Sequence, residues 1–152
     1  NKRNYIMNRK KNILIIVSNY YQDISDNLIE ETKKVIEENN ILYQIETVTG
    51  VFEIPSIVSF SKHKFDGYIA LGCVIRGETS HYDYVCSESA RALMNLSLDG
   101  FAIGYGIVTV ENYEQAMIRS KTVANKGLGK GKVAALACIN QINLKTKYTN
   151  GT

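Results

Sequence analysis

Three short stretches of this chain are apolar almost without interruption, and that limits the folds open to it. They are Asn12 to Ser18 (NILIIVS), Tyr68 to Ile75 (YIALGCVI) and Phe101 to Val108 (FAIGYGIV). Rich in Ile and Val, each is the length of a strand and reads as one buried on both faces. Leu42 to Val48 alternates more and reads as a strand nearer an edge. The segments between carry a helical period instead. From about Asp23 to Asn39, Ile24, Leu28, Val35 and Ile36 share one face, with Glu30, Lys33, Lys34 and Glu37 on the other. Pro55, the sole proline, suits the first turn of a helix running to about Lys62. A further helix is expected from about Tyr84 to Leu98, stopped by Gly100. Asn112 to Ser120 reads as helical, Lys121 to Lys132 with its three glycines as a loop, and Val133 to Lys145 as a last helix. Strands alternating with helices imply a three-layer α/β/α sandwich around a four-stranded parallel sheet with right-handed crossovers.

The 152 residues suffice for one domain with a real core, placed at 12–145. Residues 1–11 form a basic N-terminal arm, and 146–152 a polar C-terminal tail that reads as disordered. The net charge of +3 is small, and neither lysine cluster interleaves with stacking aromatics, which argues against nucleic acid. No stretch reaches the roughly 18 apolar residues of a membrane span. The arm lacks the apolar run of a secretory signal. Cys73, Cys86 and Cys138, odd in number and set in apolar or helical patterns, read as reduced and mostly buried thiols of a cytoplasmic protein. No CxxC occurs and His63 and His81 lack ligand-like neighbours, so no metal is expected.

In open parallel sheets, ligands bind beyond the carboxyl ends of the strands. Asn19-Tyr20-Tyr21, Thr49 to Glu53, Arg76 to His81 and Tyr105 to Thr109 all fall on that edge. Gly77 to Ser80 fits two roles. Its glycine would let the backbone turn tightly and aim the amides of Glu78 and Thr79 at an anion near a helix start. Alternatively it is a plain cap, with Thr79 or Ser80 satisfying a free N–H. His81 could move protons near neutrality or serve as a structural hydrogen-bonder. His63, between two lysines, reads as surface. Cys73 and Cys86 lie near His81 in sequence but have no evident activating partner. Tyr20 and Tyr105 could stack on a flat heterocycle or simply pack. Arg119 could answer its helix dipole or reach a phosphate.

Together these residues resemble the lumazine synthase family over about Asn12 to Ile142. The resemblance rests on Gly50-Val51-Phe52-Glu53-Ile54-Pro55, on Ala70-Leu71-Gly72-Cys73-Val74-Ile75-Arg76-Gly77-Glu78-Thr79 and on His81-Tyr82-Asp83-Tyr84-Val85. Glu114-Gln115-Ala116 with Arg119, and Asn125-Lys126-Gly127, complete it. It implies a flavodoxin-like fold and a condensation of 5-amino-6-(D-ribitylamino)uracil with 3,4-dihydroxy-2-butanone 4-phosphate. The product would be 6,7-dimethyl-8-ribityllumazine, made without a cofactor or metal. By the same resemblance Tyr20 stacks on the pyrimidine, and Val51, Phe52 and Glu53 with Cys73, Val74 and Ile75 hold the ring edge and ribityl chain. Glu78 and Thr79 bind the butanone phosphate, His81 transfers protons, and Lys126 lies beside that pocket. Tyr105 and Arg119 are lent by a neighbouring subunit. The implied assembly is a homopentamer or an icosahedral shell of pentamers, with riboflavin synthase as a further partner.

This chain departs from the family pattern in places. Thr49 stands where a proline precedes the glycine, Asn19 and Tyr21 replace an arginine and an asparagine, and tyrosine replaces phenylalanine at Tyr20 and Tyr105. Leu128 to Lys132 replaces an acidic, alanine-rich helix start. The altered surroundings of Tyr20 motivate an alternative, a non-catalytic flavin- or lumazine-binding protein on the same scaffold. A signalling or electron-transfer domain fits less well. The first strand ends in Ser18-Asn19-Tyr20, without paired acids or a Ser/Thr-rich phosphate loop.

Overall fold

The computed structural model describes residues 9–150, so 1–8 of the expected arm lie outside the described residues. Arg9 is described, and its guanidinium donates to Asp66 Oδ1 at 2.7 Å. Asp66 Oδ2 accepts the Asn12 N–H at 2.8 Å, which fixes where the first strand begins.

Four parallel strands, β1 (Asn12–Ser18), β2 (Leu42–Val48), β3 (Gly67–Ile75) and β4 (Ile103–Val110), lie in the order β2-β1-β3-β4. Helices α1 (Gln22–Glu38), α2 (Ile54–Phe60), α3 (His81–Leu98), α4 (Tyr113–Ser120) and α5 (Lys130–Thr149) cover the sheet. The sheet has two apolar faces, as continuous apolar strands require. On one face, Ile13, Ile15, Val17, Ile69 and Leu71 meet Ile24, Leu28 and Ile36 of α1 and Ala134, Cys138 and Ile142 of α5. On the other, Leu14, Ile16, Tyr68 and Ala70 meet Ile54 and Val58 of α2 and Leu93 of α3. The three-layer α/β/α, flavodoxin-like arrangement is therefore present.

Local chemistry explains the boundaries. Pro55 sits in the first turn of α2, where its missing N–H costs nothing, although the helix stops at Phe60 rather than Lys62. Gly100 follows α3 with φ +99, the Gly100 N–H bonds Ser97 O, and the Phe101 N–H bonds Leu96 O. That pair of bonds is a Schellman stop. Asn112 caps α4 by accepting the Gln115 N–H at 2.9 Å, and Gln115 Oε1 accepts the Glu111 N–H in return.

Four expectations are corrected. β4, expected to be buried on both faces, is an edge strand that exposes Tyr105 and Thr109. The third helix begins at His81, not Tyr84. The glycine-lysine loop contains a 3₁₀ turn, Val123–Asn125, and yields to α5 at Lys130. Finally, α5 runs to Thr149, so 146–149 of the expected polar tail are helical, and 151–152 lie outside the described residues.

Tight seating of α5 on the sheet depends on missing side chains. A Cβ on Gly104 would collide with the Ala134 carbonyl oxygen, which is backbone and cannot swing aside. Gly104→Ala should therefore lower stability by about 1–3 kcal/mol, read as a fall in the urea midpoint at unchanged slope. Gly77→Ala, with nothing within 4 Å of the new methyl, should leave the midpoint near that of the parent.

Candidate functional site

The chain leaves β1, builds β2 on one side, then crosses back over β1 to place β3 on the other. Successive connections thus diverge to opposite faces between β1 and β3, and a crevice opens at their carboxyl ends. An open cleft of about 730 Å³ lies there, lined from the ends of β1, β2 and β3 and the first turns of α3.

The first wall is the loop after β1. Buried Ser25 in α1 donates to Ser18 O at 2.6 Å and Tyr21 O at 3.0 Å, holding the loop at both ends. Tyr20 projects into solvent with 74% of its surface exposed. Its ring meets Tyr21 edge-to-face, centroids 5.0 Å apart and planes at 74°. Burial, then the neighbouring Tyr20 and Cys73, raise the Tyr21 phenol above its ordinary range.

The second wall is the 3₁₀ turn Val51–Glu53 after β2. Val51 is buried because Gly72 of β3 has no side chain: a Cβ there would lie 2.5 Å from Val51 Cγ1. The turn can therefore settle onto the sheet, leaving Phe52 and Glu53 exposed at the rim. The floor is Cys73, Val74 and Ile75. Burial, and to a lesser degree Cys86, push the Cys73 thiol up to about 11, so it keeps its proton at neutral pH. All three cysteines are free, with Cys73 and Cys138 buried and Cys86 partly so.

The third wall is the turn into α3. Thr79 Oγ1 accepts the His81 N–H at 3.3 Å, whereas Ser80, the formal cap residue, makes no side-chain capping bond. Among the described residues the N–H groups of Gly77, Glu78, Thr79 and Ser80 have no hydrogen-bond partner. Thr79 thus caps the helix, and the free amides beside it lie near a helix start, where an anion would be favoured. Gly77 is not required by backbone geometry, since it has no positive φ and open space where a side chain would go. His81 is the first residue of α3, exposed, with its imidazole unpartnered among the described residues.

The structure thus brings Tyr20, Val51, Phe52, Glu53, Cys73, Val74, Ile75, Thr79 and His81 to one cleft. Glu78 is exposed and does not line it. Tyr105 pairs with Ala70 in mid-strand, not at the strand's carboxyl end, and stands beside Cys86 and Tyr82 outside the cleft. Arg119, near the end of α4, folds back to donate to Gln115 O at 3.3 Å. Lys126 is exposed in a left-handed conformation, φ 62, on a loop tied to α4 by the Leu128 N–H to Ile118 O bond. Neither cation lines the cleft of its own chain. His63 is exposed, as expected.

Tyr21, Tyr82, Tyr84 and Val85 also line the cleft and were given no role by the sequence. Starting the helix at His81 would have found two of them, because Tyr84 and Val85 follow it by three and four residues and share its face.

Residues 10–146 match the model of the 6,7-dimethyl-8-ribityllumazine synthase family. A 6,7-dimethyl-8-ribityllumazine synthase of Bartonella tribocorum is 42% identical over 146 residues, covering 93% of this chain and 95% of the relative. One of Zymomonas mobilis is 43% identical over 138 residues, covering 90% and 97%. One of Agrobacterium fabrum is 42% identical over 146 residues, covering 91% and 97%. With its apolar strands, its cleft between β1 and β3 and these matches along nearly its whole length, the chain belongs to the 6,7-dimethyl-8-ribityllumazine synthase family.

Proposed function

We propose that the chain joins 5-amino-6-(D-ribitylamino)uracil to 3,4-dihydroxy-2-butanone 4-phosphate, yielding 6,7-dimethyl-8-ribityllumazine, phosphate and water. This is the penultimate step of riboflavin biosynthesis. The observation that carries the reading is one cleft lined by both an exposed stacking ring, Tyr20, and an unpartnered imidazole, His81. The pyrimidine lies against Tyr20, with its edge and ribityl chain along Val51 to Glu53 and Cys73 to Ile75. Thr79 and the free amides of its turn receive the phosphate.

The ring amine attacks the ketone and loses water to give a Schiff base. Phosphate leaves by elimination, and ring closure expels a second water. Each step moves protons, and His81 is the group in the cleft suited to shuttle them. A protonated Cys73 is no nucleophile, so no covalent thiol step is needed. Holding two reactants in one register supplies much of the rate.

Glu78 binds the phosphate with Thr79 through its backbone amide, its carboxylate turned to solvent, while Tyr105, Arg119 and Lys126 complete the site of an adjacent subunit in a homopentamer or an icosahedral shell of pentamers. Large apolar side chains left open by a single chain support such an assembly, among them Phe60 of α2 and Met94 and Leu98 of α3, the last 78% exposed. Riboflavin synthase, which consumes the product, is the expected partner, and the cytoplasm the expected compartment. No helix among the described residues is long and apolar enough to cross a membrane.

Mixing the protein with both substrates should raise lumazine absorbance above the uncatalysed background, and a rate equal to background would sink the reading. His81→Ala should lower kcat by about 10²-fold, while Arg119→Ala should chiefly raise the KM for the butanone phosphate. A reversed ranking of those Michaelis constants would count against the assigned roles. Iodoacetamide on the native protein, followed by peptide mapping, should modify Cys86 ahead of Cys73 and Cys138. Sedimentation should give the mass of a pentamer or a multiple of it, and a monomer would refute the shared site.

A further inference from the structure

Arg76 lies at the edge of the cleft, yet its guanidinium is already engaged. Its Nε donates to both carboxylate oxygens of Glu111, at 3.1 and 2.9 Å, and a terminal nitrogen donates to Asp83 Oδ1 at 3.3 Å. Its Cζ sits 4.3 Å from the centroid of the Tyr82 ring, a cation–π contact. The Arg76 N–H bonds Val110 O at 2.9 Å. Arg76 follows β3, Glu111 follows β4, and Tyr82 and Asp83 belong to the first turn of α3. One side chain therefore joins three elements where they end or begin.

The turn that carries Thr79 and His81 lies between Arg76 and Asp83. That turn has little of its own to hold it. The amides of Gly77 to Ser80 lack partners among the described residues, and nothing lies within 4 Å of a Cβ built on Gly77. Its own bonds reach only the start of α3: Thr79 Oγ1 accepts the His81 N–H at 3.3 Å, and Ser80 O accepts the Asp83 and Tyr84 N–H groups at 3.1 and 3.3 Å, so Gly77 and Glu78 depend on what ties the ends of the turn. Here the ends are tied by the Arg76–Asp83 pair, and Glu111 sets the direction of the guanidinium.

We propose that Arg76 is a positioning residue: its pairs with Glu111 and Asp83 clamp the Gly77–Ser80 turn so that Thr79 and His81 meet both reactants in one register, without Arg76 touching either reactant. The proposal rests on the lumazine-forming reading of the cleft. Exposed ion pairs contribute little to global stability, so the clamp acts on local order and its effects separate from folding. Misplacing a reactive group by about 1 Å is enough to cost on the order of 10²-fold in rate.

The test compares the full chain with Arg76→Ala, Arg76→Lys, Glu111→Gln and the Arg76→Ala/Glu111→Gln double variant. Arg76→Ala should lower kcat/KM for the butanone phosphate by about tenfold to 10²-fold, with the unfolding midpoint near that of the parent. Arg76→Lys should restore part of the loss, since an ammonium can reach one carboxylate but not span two. The double variant should be no worse than Arg76→Ala alone, because both changes break one clamp. Amide exchange in the 77–84 segment should quicken in Arg76→Ala, which reads the clamp without any turnover. Unchanged exchange together with unchanged kinetics, or fully additive losses, would overturn the proposal. A parent protein that makes no lumazine but shows the exchange effect would instead defeat the reaction and leave the clamp standing.

Discussion

β1 and β3 lie side by side while the connections that leave them turn to opposite faces of the sheet, and every feature of the site follows from that. A parallel pair in the middle of a sheet must be apolar on both faces, and Ile13 to Val17 and Tyr68 to Leu71 are. Because the loop after β1 goes to the α1 side and the turn after β3 to the α3 side, no backbone closes the gap between them. The cleft is what remains. Nothing in it needs an insertion or a separate lid.

Small side chains and short polar contacts then set how the walls meet. Gly72 lets Val51 press onto β3, which carries Phe52 and Glu53 to the rim. Ser25 pulls the Ser18–Tyr21 loop onto the start of α1 and so aims Tyr20 outward. Glu31 does similar work farther away. It is a buried acid in α1, and its Oε1 accepts the Val123 N–H at 3.1 Å. The neighbouring Thr32 donates to Gly131 O at 3.1 Å, so α1 holds the glycine-lysine loop near its entry and the first turn of α5 beyond it. Lys126 rides on that loop, held locally by its N–H to Val123 O and the Gly127 N–H to Thr122 O, while α1 and α4 fix the loop to the core.

Much of this could be read from the chain alone. The apolar runs marked β1, β3 and most of β4, and the apolar face of α1 was placed correctly. Gly100 was read as a helix stop and ends α3 with a positive φ. Tyr20, Val51 to Glu53, Thr79 and His81 are expected on one sheet edge, Cys73 to Ile75 join them by the family resemblance, and all share one cleft. Tyr105 was not placed correctly, because an apolar run does not say where in a strand a residue falls relative to the sheet's carboxyl edge. α3 begins three residues before the expected Tyr84, at His81, because Thr79 caps it as one of the two sequence readings of the turn allows.

What the chain itself determined was local: where the backbone is extended, where it coils, which side of α1 is apolar and where α3 must stop. Those choices depend on hydrophobic period and backbone freedom within a few residues. Tertiary structure decided what no local pattern encodes. Strand order made β4 an edge and left Tyr105 outside the cleft. Packing placed Glu111 against Arg76 across 35 positions of sequence and Val123 against Glu31 across 92. Those pairings exist only because the sheet brings distant chain ends together, and they hold the turn and the loop on which the proposed chemistry depends.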